Sequence, residues 1–135
     1  MDFEIKKPPR QFVVGTGDMK FNMSDCGAVR LKPDEQVTFI TEDGAEYDVA
    51  RKDWGFYAMP SLNGRLIQFG LRAVLTRNRK TGRYFILLVR SGQESAFERY
   101  CAQETLAVVC WLDSTEALDT MAHALNANNA FSPVN

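Results

Sequence analysis

A stretch rich in aromatic and glycine residues, between positions 53 and 65, carries the side-chain types that bind small ligands. The rings of Trp and Tyr stack on sugar or base rings, and a guanidinium forms paired hydrogen bonds with a phosphate or carboxylate. A hydroxyl and an amide would orient such a ligand. The sequence therefore predicts a site for a small anion, such as a phosphorylated or nucleotide-linked sugar. The candidate ligand-binding residues are Trp54, Tyr57, Ser61, Asn63, Arg65 and Arg72.

The same stretch also has a purely structural interpretation. Trp54, Phe56 and Met59 would then pack into the core. The residues from Ser61 to Gly64 would form a turn, and Arg65 would be a solvated charge. The two interpretations differ in one observable, the exposure of Trp54 to solvent, and both stay open at the level of the sequence.

The net charge of −1, from 16 basic and 17 acidic residues, conceals an uneven distribution along the chain. Residues 1–53 carry a net charge of −3, residues 54–93 carry +7 with no acidic residue, and residues 94–135 carry −5. The central block predicts either a face that binds anions or a set of arginines that pair with the acidic C-terminal helices. Four of its bases cluster between Arg77 and Arg83, but an isoelectric point of about 5.8 argues against nucleic acid as a partner.

Few residues offer catalytic or metal-binding chemistry. The single histidine, His123, excludes metal sites that need two histidines from this chain, and no two of the three cysteines form a C-x-x-C pair. We therefore expect no metal site, no cofactor and no catalytic residue. A small enzyme acting on the same ligand is an alternative, with Asp53 or Tyr57 in acid–base chemistry.

The N-terminal half of the chain, which must help to position these side chains, is predicted to be rich in β-strands. The run Lys6-Lys7-Pro8-Pro9-Arg10 predicts a flexible, exposed arm over residues 1–10, because consecutive prolines favour extended chain. Alternating and β-branched residues with turn signals between them predict a meander of three antiparallel strands over residues 27–50. From Trp54 to Gly64, two glycines and a proline argue against a regular element.

A hairpin, a helix, a strand and a second helix are expected to follow. Residues 84–89 are apolar on both faces, which is typical of a central strand covered on two sides. With a helix over 93–104 and a strand over 106–112, this segment would form a β–α–β crossover. Asp113 or Ser114 would cap the last helix. The apolar face of that helix consists of Ala117, Leu118, Met121, Ala122 and Leu125.

These segments predict a single compact α+β domain over residues 11–126, preceded by the arm and followed by a frayed tail over 127–135. Its N-terminal part would be an antiparallel β meander and its C-terminal part a β-hairpin–α–β–α unit. No apolar leader and no apolar run of about 18 residues occurs, which predicts a soluble, cytoplasmic protein without membrane contact.

Three hypotheses for function follow from these features. The leading one is a non-catalytic ligand-binding or accessory domain with a face for a small anion. The small enzyme is the second. The third is a protein-interaction module without a ligand, such as a homodimer joined through a sheet edge or the aromatic stretch.

Overall fold

The strands of this chain form three antiparallel sheets in the part described by a computed structural model, residues 1–15, 18 and 20–127. The strands are β1 (Asp2–Val14), β2 (Phe21–Arg30), β3 (Gln36–Ile40), β4 (Glu46–Lys52), β5 (Gly55–Ala58), β6 (Leu71–Asn78), β7 (Tyr84–Arg90) and β8 (Leu106–Trp111). The helices are α1 (Arg65–Gln68), α2 (Glu94–Glu104) and α3 (Thr115–Ala127). We name the sheets the hairpin sheet (β1–β2), the middle sheet (β3–β4–β5) and the C-terminal sheet (β7–β6–β8).

The hairpin sheet occupies the segment for which the sequence predicted a flexible arm, residues 1–10. Strand β1 pairs with β2 along its length, apart from an irregularity between Ile5 and Arg10. The carboxylate of Asp25 on β2 accepts hydrogen bonds from Lys6 at 2.6 Å and from Arg10 at 3.3 Å. These ion pairs join β1 to β2 where the regular pairing between the strands is interrupted. Residues 2–10 therefore belong to a paired strand and do not form an arm.

The middle sheet is a meander, but it starts later in the chain than the one predicted over residues 27–50. It runs from 36 to 58, and its third strand, β5, lies in the stretch that was predicted to be irregular. Residues 27–30 instead complete β2. Only a glycine fits at position 27, because a Cβ on Gly27 would lie 2.0 Å from the carbonyl oxygen of Glu4 on β1.

Two small clusters of buried side chains hold the C-terminal half together. Helix α2 places Phe97 and Cys101 against Val74 and Val89 of the C-terminal sheet, and the Phe97 ring meets the Trp111 ring edge-on at 5.7 Å. The second cluster lies on the opposite face of β6. Its buried members are Ala45, Leu66, Leu71 and Ala73. Since this cluster includes residues beside β4 and from α1, it connects the middle sheet to the C-terminal sheet.

The central strand of the C-terminal sheet is β6, so the prediction that residues 84–89 form a central strand is wrong. Strands β7 and β8 lie on opposite sides of β6, and both run antiparallel to it. Helix α2 therefore connects two parallel strands that have β6 between them. As an edge strand, β7 leaves Tyr84 60% and Ile86 56% exposed. Contacts within the described residues do not account for the apolar character of both its faces.

Helix α3 begins after Ser114, whose hydroxyl oxygen accepts a hydrogen bond from the Ala117 N–H at 3.2 Å. One of the two predicted caps is thus confirmed. No residue of α3 is buried. Apart from Ala127, the tail predicted over 127–135 lies outside the described residues. Among the helices of the described ranges, none combines the length and the apolar character needed to cross a membrane.

The fold class predicted from the sequence is confirmed. Antiparallel strands make up the N-terminal part, and a β-hairpin, a helix, a strand and a helix follow in the predicted order. The candidate ligand-binding residues lie in three places of this fold: the turn and strand after β4, the segment around α1, and the start of β6.

Candidate functional site

The two aromatic candidates lie on the outside of the middle sheet. Trp54 occupies the turn between β4 and β5 and is 72% exposed, and Tyr57 on β5 is half exposed. Their neighbour Phe56 is also exposed. The interpretation in which Trp54 and Phe56 pack into the core is therefore wrong. Both candidate rings are free to stack on another molecule.

The two small polar candidates form hydrogen bonds within the protein. The hydroxyl oxygen of Ser61 accepts a hydrogen bond from the Arg65 N–H at 2.8 Å, so Ser61 fixes the start of α1. The amide of Asn63 donates to the hydroxyl oxygen of Thr115 at 3.1 Å, which ties this segment to the first turn of α3. Both side chains hold the fold together here, and a ligand would have to compete with these contacts.

Arg65 lies near a buried carboxylate. Its guanidinium is 3.6 Å from an Oδ of Asp48 and 5.0 Å from the centre of the Phe69 ring. Asp48 also accepts a hydrogen bond of 2.6 Å from the Thr38 hydroxyl. The Arg65 side chain is half exposed, so its charge offsets that of Asp48 while part of the guanidinium still faces solvent.

Arg72 makes the closest ion pair of the candidate set. Its Nε lies 2.5 Å from Oδ2 of Asp113, a second guanidinium nitrogen lies 3.4 Å from Oδ1, and the guanidinium stacks 4.0 Å from the centre of the Trp111 ring. The hydrogen bond to Asp113 raises the pKa of Arg72 above its ordinary value. This arginine is engaged on two sides by groups from the end of β8 and the segment after it.

The six candidates therefore do not form one common pocket around a ligand. A cleft of about 330 Å³ lies between the hairpin sheet and the middle sheet, where Phe3, Arg30, Arg51 and Phe56 are among its lining residues. A second cleft, of about 290 Å³, includes Arg90 and the residues around Gly44 and Gly70. Neither cleft is lined by any of the six.

The basic block of residues 54–93 divides into a paired and an unpaired half. Three of its arginines have carboxylate partners: Arg65 with Asp48, Arg72 with Asp113, and Arg90 with Asp43. The other four bases make no ion pair within the described ranges; they are Arg77, Arg79, Lys80 and Arg83, and we call them the cationic tip. The predicted pairing with the acidic C-terminal region is thus limited to one arginine, and two partners come from the N-terminal half.

No family model, curated protein or solved structure matches this chain. The two residues considered for acid–base chemistry are both exposed, Asp53 in the β4–β5 turn and Tyr57 on β5. Cys101 lies on the buried face of α2, and burial raises the pKa of its thiol. Within the described ranges, no three His, Cys, Asp or Glu side chains gather in a group that would hold a metal ion.

The sequence did not predict one prominent feature of the surface, which is its exposed apolar area. Large apolar side chains are exposed on all three sheets, among them Phe3 and Ile5, Phe39 and Ile40, and Tyr84 and Ile86. The signal was present in β7, whose residues are apolar on both faces. Burial inside one chain and contact with another molecule both produce this pattern of apolar residues.

Proposed function

We propose that this chain is a protein-interaction module that acts as a subunit of an assembly of its own copies. The observation that carries this proposal is the amount of apolar surface left open. Monomeric proteins rarely expose large continuous apolar patches, and such patches mark sites of contact with proteins or membranes. Aromatic residues, which dominate the energetics of protein interfaces, are prominent here at Trp54, Phe56 and Tyr57.

The total surface supports the same proposal quantitatively. The accessible surface of the chain is 9933 Å², whereas a folded monomer of 15.3 kDa exposes about 7,100 Å². The eleven residues outside the described ranges would contribute about 1,600 Å² even with the surface of an unfolded chain. The described part still exceeds the surface expected for its size by about 1,500 Å².

This excess is large enough for a specific interface. A standard protein–protein interface buries about 800 Å² on each partner. The excess also explains why the clusters of buried side chains are small, since large apolar residues that would fill a core lie on the outside instead.

Sedimentation velocity over protein concentrations from about 1 to about 100 µM tests the proposal, because interfaces of this size commonly have dissociation constants in or below that range. We expect a mass above that of one chain, 15.3 kDa, which either rises with concentration towards a multiple of it or already equals that multiple at about 1 µM. A mass of one chain at every concentration would contradict self-association. Arg99→Ala, at an exposed position of α2, is a matched control that should leave the mass unchanged.

Binding of a small anion is a second candidate function. It is supported by the exposure of Trp54 and Tyr57 and by the half-exposed guanidinium of Arg65, whose nearest carboxylate oxygen is 3.6 Å away. Titration with inorganic phosphate tests it, with the emission of Trp54 isolated in a Trp111→Phe variant. If Arg65 binds the anion, Arg65→Ala weakens binding by about 10-fold to 150-fold, the cost of a charge-assisted hydrogen bond. Absence of saturable phosphate binding would reject this candidate.

A further inference from the structure

One face of the C-terminal sheet is covered by α2, and the other face is covered only near α1. The strand register places Leu75, Ile86 and Cys110 in one row of this second face, because directly paired residues point to the same side of a sheet. Tyr84 and Leu88 flank Ile86 on β7 and share its face. We call these five residues the open face. None of them is buried, and Tyr84 and Ile86 are more than half exposed.

Helix α3 likewise has an apolar stripe that is not buried. Leu118, Met121 and Leu125 have the i, i+3, i+7 spacing that forms one apolar stripe on a helix. None of them is buried, and Leu125 is 41% exposed. A helix of 13 residues is about 20 Å long, and a strand of seven residues such as β7 is about 23 Å long. The stripe on α3 therefore has the length and the apolar character to cover the open face.

The charges of the two surfaces are also complementary. Helix α3 carries Glu116 and Asp119 and no lysine or arginine. The cationic tip connects β6 to β7 at the end of the open face beside Tyr84, and its four bases make no ion pair within the described part of the chain. A partner that supplies α3 would bring carboxylates to these bases.

We propose that α3 of one copy packs on the open face of a second copy, and that the second copy returns the same contact, which gives a two-fold symmetric dimer. This inference rests on the proposed function and names its partner. A reciprocal contact of this kind is self-complementary, as two-fold interfaces must be. The excess surface of about 1,500 Å² per chain exceeds the roughly 800 Å² per partner that a standard interface buries.

The position of α3 explains why a second copy, and not the same chain, is the partner. The start of the helix is held by the hydrogen bond from Asn63 to Thr115. Just before it, Leu112 packs on the buried cluster around Leu66, and its N–H donates to the carbonyl oxygen of Ala73. With α3 fixed in this position, the open face of its own chain stays exposed.

Two substitutions, one in each half of the contact, test the proposal. Leu125→Glu places a charge in the apolar stripe of α3, and Ile86→Lys places one in the open face. Loss of a central apolar contact of an interface weakens binding by about 30-fold. In a two-fold symmetric dimer each substitution damages both copies of the contact. We therefore expect the dissociation constant of the dimer to rise by about 1,000-fold. His123→Glu is the matched control, because it adds a charge on the exposed, opposite side of α3.

Mixing the two variants gives the sharpest readout. In a mixed dimer, one contact joins an unaltered α3 to an unaltered open face. The other contact brings the new carboxylate of the Leu125→Glu variant against the new ammonium group of the Ile86→Lys variant. We expect the mixture to dimerise only about 30-fold more weakly than the unmodified chain. An interface between two α3 helices or between two open faces would not be restored by mixing.

The outcomes separate this inference from the proposed function. If the unmodified chain dimerises and both variants still do so, the α3 contact is wrong and self-association stands. If the unmodified chain has the mass of one chain at every concentration, both are wrong. If Leu125→Glu lowers the melting temperature of a single chain without changing its mass, α3 closes on its own sheet and the inference is overturned. Circular dichroism checks folding, and Tyr84→Lys replaces Ile86→Lys if the latter does not fold.

Discussion

Replacing Arg72 by alanine decides whether the positive charge at the start of β6 serves the fold or a ligand. The substitution removes the hydrogen bonds to Asp113 and the stacking on Trp111, and it leaves a largely buried carboxylate without its partner. Hydrogen bonds to charged groups contribute about 1.5–3 kcal/mol, and a cation–π contact of a partly exposed arginine about 0.5–1 kcal/mol. We expect the free energy of unfolding to fall by about 2–4 kcal/mol.

For a chain of 135 residues the entropy of unfolding near the midpoint is about 0.28 kcal/mol/K, so the Tm should fall by roughly 7–14 °C. Thermal denaturation followed by circular dichroism measures this change. A double-mutant cycle with Asp113→Ala should give a coupling energy of at least about 1 kcal/mol, since the two side chains are in direct contact. Arg99→Ala, at an exposed arginine of α2 without an ion pair in the described part, should change stability by less than about 0.5 kcal/mol.

Two results would refute the reasoning. A loss of less than about 1 kcal/mol with a coupling energy near zero would show that the ion pair contributes little to the fold. The second result has two parts. Inorganic phosphate would stabilise the unmodified chain but not the Arg72→Ala variant. In the absence of phosphate, the variant would be as stable as the unmodified chain. Arg72 would then be a ligand-binding residue, as the sequence predicted.

Three further predictions follow from local features. Thr105 ends α2 with a left-handed backbone (φ 55°), so Thr105→Gly should raise the free energy of unfolding by about 0.5–1 kcal/mol in chemical denaturation. The hydrogen bond from Lys6 lowers the pKa of Asp25, so the stabilising effect of this carboxylate is present above its ordinary pKa of 3.8 and is lost as pH falls below that value. The protection factors of the hairpin-sheet amides, which compare the intrinsic with the observed rate of hydrogen exchange at each pH, should fall there, and an Asp25→Asn variant should lack this pH dependence. Iodoacetamide should modify exposed Cys26 in the folded chain and buried Cys101 only after unfolding, as peptide mass mapping will show.

The local signals in the sequence predicted much of the fold. Asp43 and Gly44, a pair of residues typical of tight turns, lie between the antiparallel strands β3 and β4, and Gly82 takes a positive φ in the turn between β6 and β7. What the sequence did not predict is the pairing of β1 with β2, because consecutive prolines in β1 indicate an arm when no partner strand is known.

The candidate site was less predictable because its residues acquire their roles from distant parts of the chain. Arg72 and Asp113 are 41 positions apart, and no local pattern says which carboxylate an arginine will reach. The apolar strand β7 shows a second reason why the sequence did not predict the surface. A pattern of apolar residues indicates that a face is removed from water, and it does not distinguish burial within one chain from burial between two.

The arrangement of the sheets has a consequence for how the chain folds. Each of the first two sheets is made of strands that follow one another directly in the sequence, whereas in the C-terminal sheet β8 returns past β7 to pair with β6. Strands that follow one another directly are joined by shorter loops, and closing a shorter loop costs less entropy. During synthesis the hairpin sheet and then the middle sheet can close as each emerges, before the C-terminal sheet exists. Helix α3 follows the strands of all three sheets in the sequence, so during synthesis the surface that we propose for self-association becomes complete only with the last element of the described chain.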